Sequence, residues 1–223
     1  MKIAEIFYSI QGEGTLAGIP SVFVRTSGCN LRCVWCDTPY TSWMPEGRQM
    51  EPREIVEAVA AFPARHVVVT GGEPMIAPRI VELTQSLGDA GLHVTVETAG
   101  TVYAPVRCDL MSISPKLANS VPGAPWAARH EQLRYQPEAL RLLMDDYDYQ
   151  LKFVIASRED MAEVEKMVRE TRAEPERVLL MPEGIDTNTL AERGRWLTEI
   201  CKERGYRFSP RLHIMLWGNQ RGV

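Results

Sequence analysis

The sequence predicts an α/β protein whose mainly parallel sheet forms a partial, open barrel with helices on its outside. From residue 51 onward, predicted helices alternate with buried strands, which is the order of a parallel sheet with crossover connections. The number of such units falls short of eight, and 223 residues is short for a closed eight-fold barrel. We expect one domain over residues 1–223, because this length supports one substantial core.

The predicted strands are short runs of β-branched and aliphatic residues. In chain order they cover residues 2–9, 21–26, 65–70, 93–97, 110–113, 150–155, 177–181 and 206–208. The predicted helices carry apolar residues three or four positions apart. They cover residues 51–62, 78–87 and 137–144, followed by one helix that bears Met161, Val164 and Val168 and a final one that bears Leu190, Leu197 and Cys201. Ser157 and Asp160 predict a capping box before the fourth helix.

Charge and hydropathy exclude several kinds of partner. Lysine and arginine number 25 against 29 aspartates and glutamates, so the net charge is −4. No local cluster of basic residues stands out, and we therefore expect no nucleic-acid partner. The opening MKIAEIFYSI lacks the pattern of a signal peptide, and no apolar run approaches the roughly 20 residues that span a bilayer. The sequence predicts a cytoplasmic protein without a membrane partner.

Three of the five cysteines, Cys29, Cys33 and Cys36, form a C-x3-C-x2-C run. Thiolates are the ligands of iron–sulfur clusters, and no fourth cysteine or histidine lies nearby in the sequence. A cluster held by three thiolates leaves one iron open for a small molecule. A zinc site and a ferredoxin-like electron carrier are the alternatives, but each requires a fourth ligand. Cys108 and Cys201 are expected to be small buried residues.

With the aromatic Trp35 before its last cysteine, this loop resembles the cluster loop of the radical S-adenosylmethionine (SAM) superfamily. The TGGEP run at 70–74 follows a predicted strand and is similar to the superfamily's Gly-Gly-Glu motif for the methionine part of SAM. The resemblance implies a partial barrel of radical SAM type. It also implies a 4Fe-4S cluster whose open iron binds SAM, the source of a 5′-deoxyadenosyl radical.

Further motifs narrow the resemblance. They are QGEG at 11–14, FVR at 23–25, DT at 37–38, ETAGT at 97–101, SPK at 114–116, LH at 212–213 and LWGN at 216–219. Together with the cluster loop, they resemble the 7-carboxy-7-deazaguanine synthase family of the queuosine pathway. The resemblance runs from about residue 6 to the C-terminus and is weakest over residues 117–140.

This resemblance implies a role for each site residue. Cys29, Cys33 and Cys36 are the implied catalytic residues and cluster ligands. Substrate contacts are implied for Gln11, Gly12, Glu13, Arg25, Thr70 and His213, where Arg25 would pair with a substrate carboxylate. SAM contacts are implied for Trp35, Cys36, Asp37, Gly72, Ser114, Pro115, Lys116 and Pro182. Mg²⁺ is implied on the Thr38 hydroxyl, since this ion takes few protein ligands.

The implied reaction is a carbon–nitrogen lyase reaction. It converts 6-carboxy-5,6,7,8-tetrahydropterin to 7-carboxy-7-deazaguanine with loss of ammonia, and hydrogen removed from C6 is returned so that SAM is regenerated. An electron-donating protein is the implied reductant, and a hydrophobic C-terminal strand predicts a homodimer. Two alternatives stay open: a glycyl-radical-enzyme activase that acts on a partner protein, and an electron carrier that does not cleave SAM.

Overall fold

A computed structural model describes residues 1–223 and contains one nine-stranded sheet. The strands are β1 (Lys2–Ile10), β2 (Pro20–Thr26), β3 (Arg48–Gln49), β4 (His66–Gly71), β5 (His93–Thr98), β6 (Leu110–Ile113), β7 (Tyr149–Ile155), β8 (Val178–Pro182) and β9 (Arg207–Phe208). Their spatial order is β3-β1-β2-β4-β5-β6-β7-β8-β9, and the edge strands β3 and β9 do not pair with each other. The predicted open α/β barrel is confirmed.

The sheet is parallel from β2 to β9, whereas β1 runs antiparallel to both of its neighbours. Only residues 11–19 join β1 to β2. This connection is too short for the crossover that parallel neighbours need. The mainly parallel sheet of the prediction therefore begins with an antiparallel hairpin.

Eight α-helices accompany the sheet. They are α1 (Pro39–Ser42), α2 (Pro52–Ala60), α3 (Ile80–Asp89), α4 (Ala127–Leu133), α5 (Pro137–Asp146), α6 (Met161–Thr171), α7 (Thr187–Arg204) and α8 (Leu212–Trp217). The five predicted helices correspond to α2, α3, α5, α6 and α7. The Ser157–Asp160 capping box is present before α6. On α6 the buried face carries Met167, so the predicted Val168 lies at its margin.

A core of 34 buried residues lies between the sheet and its helices. Strand β7 has an apolar face towards the helices and a face with polar residues towards the inside of the barrel. Its side chains alternate between faces, so Leu151, Phe153 and Ile155 join the core. The alternate residues of the strand, among them Gln150 and Lys152, are buried on the opposite face, and Lys152 lines the cavity inside the barrel.

The C-terminal segment differs from its prediction. The hydrophobic C-terminal strand on which the homodimer prediction rests is only the two-residue β9, and both of its residues are exposed. The apolar residues that follow form α8, where Met215, Leu216 and Trp217 remain exposed. None of the helices has the length and apolar character that crossing a bilayer requires.

Candidate active site

One cavity of about 830 Å³ lies inside the barrel, towards the carboxyl ends of the parallel strands. Arg25 from β2, Thr70 from β4 and Glu97 from β5 each line it from one residue before the end of their strand, and Lys152 lines it from the middle of β7. This is the edge at which parallel α/β sheets gather their chemistry. The loops that follow these strands complete the wall.

The three cysteines of the C-x3-C-x2-C run lie in the loop after β2, and all three line the cavity as free thiols. Burial raises the pKa of Cys29 to about 11 and that of Cys33 to about 12, so these thiols must lose protons when they bind a metal. No three His, Cys, Asp or Glu side chains converge on the position of a single ion. The site therefore does not match a closed zinc site, whereas three thiols around one cavity fit an iron–sulfur cluster.

The cluster loop is supported from α4, an element that the sequence did not predict. The backbone N–H of Arg32 donates to His130 Nδ1 over 3.0 Å. His130 Nε2 therefore carries the proton and donates to Ser120 Oγ at 2.9 Å, and Ser120 Oγ donates to the carbonyl of Leu117. His130 is buried, and burial together with Arg134 lowers its pKa, which favours this neutral form. Only the folded structure reveals this role, because His130 lies in the least recognisable part of the sequence.

The Gly-Gly-Glu run, which begins with the last residue of β4, connects the ends of the neighbouring strands β4 and β5. The Glu73 carboxylate accepts hydrogen bonds from Thr98 Oγ1 at 2.7 Å, from the Ala99 N–H at 2.8 Å and from the Met75 N–H at 3.0 Å. A Cβ on Gly72 would lie 2.1 Å from the Gly28 carbonyl oxygen, so only glycine fits there. Gly72 itself lines the cavity.

A second carboxylate in the cavity connects two predicted substrate residues. Glu97 Oε1 accepts from Gln11 Nε2 at 3.0 Å, and Glu97 Oε2 accepts from Thr70 Oγ1 at 2.8 Å. Glu97 was not among the predicted site residues. Its position directly after a predicted strand, at the start of the ETAGT motif, was the signal that could have identified it.

A chain of alternating charges crosses the cavity wall. Glu13 pairs with Lys152 through one oxygen and with Arg211 Nε through the other, at 3.1 Å, and Arg211 also pairs with Asp37. Burial alone would raise the pKa of Glu13, but Lys152 and Arg211 outweigh it and hold that pKa well below its usual range. Glu13 is therefore ionised. Lys152 and Arg211 were not predicted, because only the fold brings residues 13 and 211 together.

His213 lies directly over Gly12. A Cβ on Gly12 would lie 2.0 Å from His213 Nδ1, so the missing side chain makes room for the ring. The Leu212 N–H donates to the Gly12 carbonyl at 2.8 Å and fixes the two segments together. Burial lowers the pKa of His213 more than the nearby Glu13 raises it. The ring is thus neutral near pH 7 and offers one donor and one acceptor.

Arg25 is already paired in the absence of ligand. Its Nε donates to Glu5 Oε1 at 2.6 Å, and its guanidinium lies 5.5 Å from the centroid of the Phe7 ring. Nη1 and Nη2 have no hydrogen-bond acceptor within the protein. Because Arg25 lines the cavity, these two donors are available to a ligand.

The predicted SAM residues fall into two groups. Trp35, Asp37, Ser114 and Lys116 line the cavity beside the thiols. The Trp35 indole donates to the Asn119 carbonyl at 3.0 Å, and Lys116 Nζ donates to Ser114 Oγ at 2.9 Å. Pro115 and Pro182 are buried and do not line the cavity, although their neighbours do.

The predicted magnesium ligand Thr38 also lines the cavity, two residues after Cys36. Its Oγ1 accepts a long hydrogen bond of 3.3 Å from Thr41 Oγ1 and lies 3.9 Å from Cys36 Sγ. A single protein hydroxyl fits Mg²⁺, which keeps most of its ligands as water or substrate oxygens.

Comparisons with known proteins agree with this geometry. Residues 23–118 match the model of the radical SAM superfamily. A 7-carboxy-7-deazaguanine synthase from Halobacterium salinarum is 47% identical over 98% of this chain and 91% of its own length. A second, from Rhodopirellula baltica, is 45% identical over 100% of this chain and 89% of its own.

Solved structures give the same result. The crystal structure of QueE from Escherichia coli superposes with a TM-score of 0.70 at 25% identity, covering 93% of this chain and 92% of that one. Streptococcus suis SuiB, solved with a precursor peptide, is 14% identical with a TM-score of 0.58 over 83% of this chain and 47% of its own, which shows a shared fold alone. The chain belongs to the 7-carboxy-7-deazaguanine synthase family of the radical SAM superfamily.

Proposed function

We propose that this cavity converts 6-carboxy-5,6,7,8-tetrahydropterin to 7-carboxy-7-deazaguanine and ammonia, and that the residues described above perform the reaction. The observation that carries the proposal is one cavity that brings together two unlike groups of side chains. One group is the three thiols, and the other is a set of hydrogen-bonding and charged side chains suited to a small polar anion.

The cofactors of the family are a 4Fe-4S cluster, SAM and Mg²⁺. Cys29, Cys33 and Cys36 would hold the cluster, and Thr38 would supply a ligand to Mg²⁺. When bound, the cluster and SAM supply the one-electron chemistry that removes hydrogen from the substrate. Lys116 and Trp35 lie beside the thiols, where a donor and an apolar ring face would contact SAM.

The hydrogen-bonding and charged side chains would bind the pterin. Arg25 would use Nη1 and Nη2 in a two-pronged contact with the substrate carboxylate, since its Nε is already bound to Glu5. Glu97, held between Gln11 and Thr70, presents an acceptor to the N–H groups of the pterin edge. The neutral His213 would offer the complementary donor or acceptor on the other side of Glu13.

The proposal also covers the reductant, the cellular location, the number of domains and the oligomeric state. An electron-donating protein would act as reductant, and the chain would function in the cytoplasm as one domain. The single core of 34 residues supports the one-domain assignment. Assembly into a homodimer is no longer supported by a C-terminal strand, and the exposed apolar face of α8 is the remaining reason to measure the oligomeric state.

The activase alternative is not favoured, because relatives that match nearly the whole chain are 7-carboxy-7-deazaguanine synthases. The electron-carrier alternative is not favoured either, since a carrier has no use for the polar wall around Glu13 and Glu97.

The test is anaerobic turnover of reconstituted protein with SAM, Mg²⁺, a reductant and the pterin deuterated at C6. We expect 7-carboxy-7-deazaguanine and ammonia in equal amounts. The label should pass through SAM into product, and 5′-deoxyadenosine should not accumulate in proportion. Consumption of one SAM per turnover, or an unchanged pterin, would contradict the proposal.

A further inference from the structure

Residues 219–223 line the cavity, yet their backbone makes a single hydrogen bond, from Gln220 N to the Gly218 carbonyl at 2.9 Å. A side chain attaches them to the rest of the protein instead. Arg221 Nε donates to Glu5 Oε2 at 3.1 Å, and Arg221 also pairs with Glu46. Its guanidinium lies 4.0 Å from the centroid of the Tyr40 ring.

Glu5 is the shared partner of this attachment and of the proposed substrate residue Arg25. Its Oε1 accepts from Arg25 Nε at 2.6 Å and from the Tyr40 hydroxyl at 2.7 Å, while its Oε2 accepts from Arg221. Glu5 does not line the cavity, so it can act only through these neighbours. The carboxylates of Glu5 and Glu46 balance the two guanidiniums.

We propose that Glu5 and Arg221 are positioning residues. Glu5 orients Arg25 so that its terminal nitrogens face the substrate, and through Arg221 it holds residues 219–223 over the same end of the cavity. Because the Glu5 carboxylate binds both Arg25 and Arg221, loss of one of these two contacts also weakens the other. This inference rests on the proposed function, since it takes Arg25 to bind the substrate carboxylate.

The first test needs neither cluster nor substrate. Hydrogen exchange of the metal-free protein is compared for the parent, Arg221→Ala and Arg53→Ala, a control that removes an exposed arginine paired with Glu57. We expect faster exchange across residues 215–223 in Arg221→Ala alone. Salt should accelerate exchange in the parent and have little effect in Arg221→Ala, because salt weakens the exposed ion pair. Equal exchange in all three proteins would overturn the proposal.

The second test separates positioning from a general structural role. In the reconstituted enzyme, Arg221→Ala should raise KM for the pterin about fivefold, which is the size expected for an exposed ion pair with a cation–π contact. The value of kcat and the affinity for SAM should stay unchanged, and Arg221→Lys should recover part of the loss. Equal damage to kcat and to SAM binding would mean a structural role only.

A double variant tests whether the Glu5 carboxylate links Arg25 to Arg221. If Glu5 links the two contacts, adding Arg221→Ala to Glu5→Gln should raise KM little beyond Glu5→Gln alone. Effects that multiply would overturn the linkage. Glu5→Asp, which keeps the charge, replaces Glu5→Gln if the latter does not fold. If the parent fails to turn over the pterin, the proposed function fails, whereas the exchange result still decides whether Arg221 holds the C-terminal residues.

Discussion

Arg25 shows how a binding residue is prepared before its ligand arrives. Its Nε is bound to Glu5, which leaves the planar pair Nη1 and Nη2 as donors on a side chain held in place by that ion pair. Arg25→Ala should therefore raise KM for the pterin roughly ten- to a hundredfold, because a charge-assisted hydrogen bond contributes about 1.5–3 kcal/mol. Arg25→Lys should recover only part, since an ammonium cannot make the two-pronged contact.

The measurement for Arg25 is steady-state kinetics with SAM affinity as the internal control. SAM binding should be unaffected in both variants. An unchanged KM in Arg25→Ala would assign the residue to the Glu5 ion pair and the fold instead.

Thr38 offers a narrower test of the magnesium assignment. Thr38→Ala removes the proposed ligand oxygen and leaves the thiols of the neighbouring loop in place. Cluster content and SAM binding should persist, while the stimulation of activity by Mg²⁺ falls. Thr41→Ser, which preserves the neighbouring hydroxyl, is the matched control. A variant that responds to Mg²⁺ like the parent would show that the Thr38 hydroxyl is structural.

Among the structural elements, the loop after β2 is the feature that points most specifically to an iron–sulfur cluster. Replacing Cys29, Cys33 or Cys36 by Ala should abolish the visible absorbance of the reconstituted cluster and its roughly four irons per chain. Cys108→Ala and Cys201→Ala are the controls, since neither side chain lines the cavity. Stoichiometric zinc in place of iron would contradict the assignment.

Helix α4 gives a prediction that the sequence could not provide. His130→Ala removes the acceptor for the Arg32 N–H, and leaving such a buried group unpaired costs about 1–3 kcal/mol. We expect lower iron content after reconstitution and a lower denaturant midpoint. His66→Ala, far from the loop in sequence and at the other end of β4, should leave the iron content unchanged. Equal iron content in both variants would show that α4 does not support the loop.

The parts of the fold that were predicted are those whose sequence pattern lies within one short segment of the chain. Buried strands such as β4 and amphipathic helices such as α6 follow from periodicity and capping within the chain. The cysteines were identified because their ligand chemistry is carried by adjacent residues. Lys152 and Arg211 were missed, because their role depends on which face of β7 is inward and on a contact between residues 198 positions apart. Such partners can be identified only once the pairing register of the strands is known.

Across the whole molecule, three of the four histidines favour their neutral forms. Burial lowers the pKa of His66, His130 and His213 below the ordinary value of 6.5, with His93 and Arg134 acting in the same direction on the first two. A group whose pKa is lowered by folding stabilises the protein above its unfolded pKa. That stability is lost as the pH falls through the folded value.

The free energy of unfolding should therefore decrease as the pH is lowered from 7 through 6.5 and below, before most carboxylates titrate. Chemical denaturation of metal-free protein at a series of pH values measures this effect. His130→Gln, which can still accept from Arg32, should flatten part of the dependence. Stability that stays constant from pH 7 to 5 would contradict the pKa assignments.

The contact between Glu13 and Arg211 also has a consequence for the order in which the cavity is completed during synthesis. A ribosome translates the cysteine loop well before residues 211–213, which bond to Gly12 and Glu13 and complete the cavity wall. The nascent chain therefore carries exposed thiols without a finished binding chamber. A cluster inserted before residues 211–213 have been translated would lie in a cavity whose wall still lacks Arg211 and His213.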